Sequence, residues 1–168
     1  MHTLYVLSVW THILTAMLWV GGMLFLVIVV VPLLRRGDRA QAAAFLHVAG
    51  VRFRTVGWAC FGILLLTGSW QLSARGVRPA SFLDPGFLSS PFGRTVVWKL
   101  GLFALILLVS AWHDFVVGPR ATLAVQAAPD SPAAQSLRRQ ASWLGRANVV
   151  LAVVIVLVAV SLVRGWPW

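Results

Sequence analysis

The chain has 168 residues, 60% of them hydrophobic and 11% charged, with a formal net charge of +10 at pH 7. That composition excludes an ordinary soluble domain, and a single cysteine excludes an intrachain disulfide. The basic residues stand in short clusters between long uncharged stretches, a pattern that points to membrane topology and headgroup contact rather than nucleic acid.

In chain order, His2 to Leu34 contains no Lys, Arg, Asp or Glu, and gives a first span over about 4–34. It lacks the basic leader of a cleaved signal peptide and is too long for one. Pro32 and the run Arg35 to Ala40 predict a tight turn. A second helix is expected from about Gln41, with an extension holding His47, Arg52 and Arg54 ahead of a span at about 53–74. Arg75 to Arg94, with Pro79, Pro85, Pro91 and several Phe, reads as an apolar loop against the bundle or in the membrane interface. A third span at about 95–117 is interrupted by Lys99, His113 and Asp114. Ala121 to Arg139, rich in Ala, Ser and Pro, reads as a mobile connection to a fourth span at about 145–164. No internal repeat is visible. Residues 1–168 therefore read as a single transmembrane domain, an all-α, integral membrane four-helix bundle running up-down-up-down.

Nine basic residues (Arg35, Arg36, Arg39, Arg52, Arg54, Arg120, Arg138, Arg139, Arg146) fall on one side of these spans and five (Arg75, Arg78, Arg94, Lys99, Arg164) on the other. By the positive-inside rule the first set is cytoplasmic, with both termini outside.

Polar residues within the spans mark where function is expected, because lipid makes them costly. Ser8, His12, Thr15, Trp19 and Gly22 recur at helical spacing and form one stripe of the first span, expected to face inward. Gly21 and Gly22 allow a neighbouring helix or a flat ligand to approach. Lys99, Ile106, Ser110 and His113 share a face of the third span, and His47, Arg54, Trp58 and Phe61 a face of the second. The fourth offers Asn148 and Ser161, and reads as packing. Depth separates an outer candidate site at His12 and Lys99 from an inner one at His113 and His47.

Two chemistries fit these residues. Haem b in membrane bundles is held by His, with small residues admitting the macrocycle and basic side chains meeting its propionates. Copper also takes imidazole, although a Cu(I) path favours thiolates and thioethers, and the chain has three Met and one Cys, with Met17 and Met23 near His12. A plainer role stays open for each histidine, a hydrogen bond gluing helices, worth about 1 kcal/mol. There is no nucleophile–base pair, phosphate loop or dinucleotide fingerprint, and no Glu at all.

The ordered run His12-x6-Trp19-x-Gly21-Gly22, LLLTG (Leu64 to Gly68), SPFGR (Ser90 to Arg94) leading to Lys99-Leu100, and GPR (Gly118 to Arg120) resembles the CopD-domain family of bacterial inner-membrane proteins. That family is named for copper resistance and uptake, which the resemblance implies here. The His-x6-Trp element and the Lys opening the third span also look like the membrane protoporphyrinogen oxidases, four-helix proteins that bind haem b. By that likeness His12 is a haem ligand and Lys99 a site residue.

The expectation is a CopD-like membrane protein holding a redox-active metal centre for electron transfer or haem handling, with His12 and His113 as metal ligands. His47, Lys99, Trp19, Gly22 and Arg54 complete the cofactor-binding set. Haem b leads and copper is the alternative, as transport or homeostasis; a non-catalytic membrane subunit is a third reading. Expected partners are the lipid bilayer and a membrane redox partner or second copy of the chain, with no nucleic acid.

Overall fold

The computed structural model describes residues 2–34, 39–128 and 131–164. Every long element is helical: α1 (His2–Leu34), α2 (Arg39–Ala74), the short α3 (Pro85–Ser89), α4 (Pro91–Ala127) and α5 (Pro132–Arg164). A 3-10 turn, Pro79–Leu83, precedes α3. Four of these helices contain stretches long and apolar enough to cross a membrane. Their apolar side chains point largely outward, as with Leu66 at 73%, Leu108 at 68% and Leu157 at 63% exposed. In water such surfaces would aggregate; in a bilayer they are the solvent-facing side.

The expected turn at Arg35 to Ala40 lies largely outside the described residues, whereas α2 begins at Arg39 and runs unbroken into its span. The expected mobile connection over Ala121 to Arg139 is corrected. Helix α4 continues to Ala127 and α5 starts at Pro132. Ala, Leu, Gln and Arg are strong helix formers. Ser131 caps the new helix, its Oγ accepting from the Ala134 backbone N–H at 3.2 Å, with Pro132 at the first helical position where no N–H is needed. The same Ser-Pro device starts α4, where Ser90 Oγ accepts from Gly93 N–H at 3.0 Å.

Two compact units divide the chain, residues 1–81 and 82–168. In the first, α1 and α2 pack antiparallel. In the second, α5 packs along α4. The units are built alike, although no repeat is visible in the sequence. Each contains a long helix, α1 or α4, carrying a π-helical turn, Leu26–Val30 or His113–Val117, two residues ahead of a proline, Pro32 or Pro119. One constant offset relates these turns, these prolines, the buried pairs Trp19/Ile106 and Met23/Ser110, and also His12 with Lys99. The prolines supply a cause for the turns. A proline has no N–H for the carbonyl four residues back and its ring crowds that carbonyl, so the preceding turn widens and the helix continues.

Candidate functional site in the α1–α2 seam

Side chains meet along the first unit like rungs. Arg75 Nε donates to Tyr5 Oη at 3.0 Å, and Gln71 Nε2 to the Ser8 carbonyl at 3.3 Å. His12 Nδ1 lies 2.7 Å from Thr67 Oγ1. Trp19 meets Phe61 edge-on, ring centroids 4.9 Å apart, and lies over Gly57, where a Cβ would come within 3.6 Å of its indole. Gly22 takes the Phe53 ring so closely that a Cβ would stand 2.7 Å from Phe53 Cε2. The stripe expected to face inward therefore does so, against α2. Thr15 and Trp19 are its buried members, and Met23, beside Gly22 but outside the stripe, is buried as well.

His12 is half-buried, with Gly68 beside its ring: a Cβ at Gly68 would touch Cε1 at 3.4 Å, ordinary contact. The Thr67 hydroxyl also bonds its own helix, donating to the Ile63 carbonyl at 2.7 Å. Thr67 escapes sequence reasoning because a threonine in an apolar run reads as neutral. Pairing the two helices antiparallel from His12–Thr67 outward is the signal that finds it.

The other sequence candidates separate. Trp19 and Gly22 lie on the His12 seam as packing partners of Phe61 and Phe53. Arg54 is half-buried on α2, one residue beyond Phe53. His47 belongs to α2 twenty residues before Thr67, about 30 Å away along the helix, so it is no partner of His12; its side chain lies outside the described residues. Met17 is 64% exposed on the lipid side of α1, and Met23, though buried, is roughly 16 Å further along the helix. The thioethers therefore do not join His12.

In the second unit, Lys99 is half-buried on α4, and His113 opens the π-helical turn. His113 Nδ1 lies 2.9 Å from Asp114 Oδ1, a pair with the imidazole one-third exposed. One turn earlier, Ser110 Oγ accepts from Asn148 Nδ2 at 2.9 Å, both residues buried. The Asn148 Oδ1 has no hydrogen-bond partner among the described residues. Asn148, read from sequence as packing, thus makes a buried polar contact between α5 and α4.

Both span histidines share one chemical feature: an oxygen holds Nδ1. Such an arrangement orients an imidazole for ligation through Nε2. Among the described residues, however, no three of His, Cys, Asp and Glu gather into one donor set.

Comparison with known proteins bears on the identity of the ligand. An uncharacterised protein of Aquifex aeolicus (strain VF5) is 29% identical over 163 residues, 95% of this chain and 96% of that protein. No solved structure matches. The family described as copper resistance protein D, CopD, matches residues 47–162, taking in LLLTG, SPFGR, Lys99 and GPR but not the His12 run. The match carries no likeness to the haem-binding oxidases. It covers well over half of the sequence, and the chain accordingly belongs to the copper resistance protein D family.

Proposed function

We propose that this chain is a multi-pass inner-membrane protein of copper homeostasis in which copper is cargo, met at the His12 seam and passed on. Family membership over residues 47–162 carries the reading. The donor inventory shapes it. Among the described residues no three of His, Cys, Asp and Glu gather into one donor set. A single oriented imidazole suits a brief contact. The excess of arginine on one side of the spans supports cytoplasmic loops and outer termini, and a phosphatase fused to the C-terminus reads that side directly.

The test is copper tolerance and cell-associated copper in a strain lacking the gene, complemented with wild type or His12→Ala. His12→Ala is expected to behave as the deletion while reaching the membrane at the wild-type level. Complementation indistinguishable from wild type sinks His12 as the contact.

Haem b for electron transfer is the second reading, favoured by one observation, the two imidazoles each anchored at Nδ1. The absorption spectrum of detergent-purified protein, oxidised and then dithionite-reduced, separates the two. Copper as cargo predicts no Soret band after expression with ample haem. A Soret band with sharp reduced α and β bands, lost in His12→Ala, would replace copper with haem.

A further inference from the structure

We propose that one face of α5, formed by Arg139, Trp143 and Arg146, binds the headgroup of an anionic phospholipid whose acyl chains lie along Val150, Val153 and Leu157. Neither His12 nor copper has any part in this site.

The face follows from the helical period. Residues 139, 143, 146, 150, 153 and 157 recur at spacings of 4, 3, 4, 3 and 4, one row along a helix. All six are exposed, Trp143 at 71%. The opposite row, Ala134, Leu137, Ala141, Leu144 and Asn148, is buried or half-buried, with Asn148 bonded to Ser110 of α4. Arg139 and Trp143 join the exposed row only because α5 begins at Pro132, well ahead of the span expected from hydropathy.

The row changes character at Arg146, which stands immediately before the uncharged run Ala147 to Val163. On one side of that point the face is basic and aromatic, and on the other it is Val and Leu turned to lipid. From Arg146 to Leu157 the helix rises about 16 Å, close to the depth of one hydrocarbon leaflet, half of about 30 Å. A headgroup and its chains therefore fit the same row.

Charge decides which headgroup. Helix α5 contains no Asp or Glu, and neither Arg139 nor Arg146 makes a side-chain hydrogen bond or ion pair among the described residues. At a bilayer surface the anion at hand is the lipid phosphate. A guanidinium takes a phosphate through paired N–H bonds. An indole sits at headgroup level with its ring towards the chains and its N–H towards water. Phosphatidylcholine also offers a phosphate, but its choline cation is repelled by the two arginines. Phosphatidylglycerol carries no such cation, so the face discriminates by net headgroup charge.

The test uses the full chain in nanodiscs of equal parts phosphatidylglycerol and phosphatidylcholine. Lipids that stay bound after release into detergent are counted by native mass spectrometry. Wild type is expected to retain phosphatidylglycerol in preference, and less of it as salt rises. Arg139→Gln with Arg146→Gln is expected to weaken that retention roughly 10–30-fold. Arg139→Lys with Arg146→Lys, which keeps the charge and loses the paired geometry, is expected to lose only part of it. Arg78→Gln with Arg164→Gln removes two charges from the other side of the spans and is expected to retain lipid as wild type does. All four arginines are exposed, so an unchanged helical signal is expected in every variant. Wild type holding both lipids equally, or the Arg139 and Arg146 glutamine variant holding as much phosphatidylglycerol as wild type, overturns the site. An equal loss from the Arg78 and Arg164 pair overturns it too, leaving overall charge as the attraction.

Discussion

Gly93→Ala is expected to cost roughly 2–4 kcal/mol of folding stability, far more than its one added methyl suggests. Helix α3 ends at Ser89 and α4 begins at Pro91, so the chain turns sharply at Ser90 and brings the Phe87 carbonyl against the Gly93 Cα. A Cβ there would run into that carbonyl, with the Phe87 carbonyl carbon at 2.8 Å and Ser90 Oγ at 3.0 Å. The carbonyl is not at liberty to move. It accepts from the Ser90 backbone N–H at 3.1 Å and from Ser90 Oγ at 2.6 Å. Making room for the methyl breaks these bonds together with the cap from Ser90 to Gly93 N–H. Ser90→Ala, which removes only the hydroxyl, is expected to cost about 1 kcal/mol. Reversible unfolding of both variants in detergent, followed by loss of helical signal, measures the difference. A Gly93→Ala protein as stable as Ser90→Ala would mean that the corner yields more easily than its bonds imply.

The corner matters to the second unit because it sets where α4 starts, and Lys99 stands eight residues beyond Pro91, about 12 Å along the helix. The SPFGR segment is thus a structural device: serine as cap, proline at the first helical position, glycine where the preceding carbonyl passes.

How much of this was readable beforehand differs from residue to residue, for physical reasons. The seam Ser8–His12–Thr15–Trp19–Gly22 was legible because its members recur at the helical period and are polar, aromatic or small against a background of Leu and Val. Thr67 was hidden because its role is set by a residue fifty-five positions away, and nothing in LLLTG distinguishes a lipid-facing threonine from a paired one. The linker over Ala121 to Arg139 misled in the other direction. Its Ser and Pro content suited a loop, yet Ala and Gln prefer helix, and Ser131-Pro132 is a helix start in disguise. The likeness of the two units was invisible for a different reason. It resides in π-helical turns and in burial at one constant offset, while the side chains at matching positions differ, as His12 does from Lys99.

Ser110→Ala is expected to destabilise the second unit by about 1–3 kcal/mol, and Ser110→Ala with Asn148→Leu to recover most of that loss. Ser110 Oγ accepts the one hydrogen bond shown for Asn148, and the amide oxygen already has no partner among the described residues. Removing the hydroxyl strands the whole amide between α4 and α5, where neither water nor lipid can satisfy it. Replacing the amide by a side chain of similar volume removes the group that needs satisfying. A double-mutant cycle on detergent unfolding reads the coupling directly. An interhelical pair of this kind contributes about 0.6 kcal/mol on average in a membrane protein, so the stabilising effect of the intact pair is small while the effect of half a pair is large. Losses that simply add, with no recovery in the double variant, would show that Asn148 finds another partner. Recovery would have a sharper consequence. It would mean that the fold does not need the pair, placing the reason for a buried amide against Ser110 in what that amide oxygen receives, a water or another hydrogen-bond donor, rather than in stability.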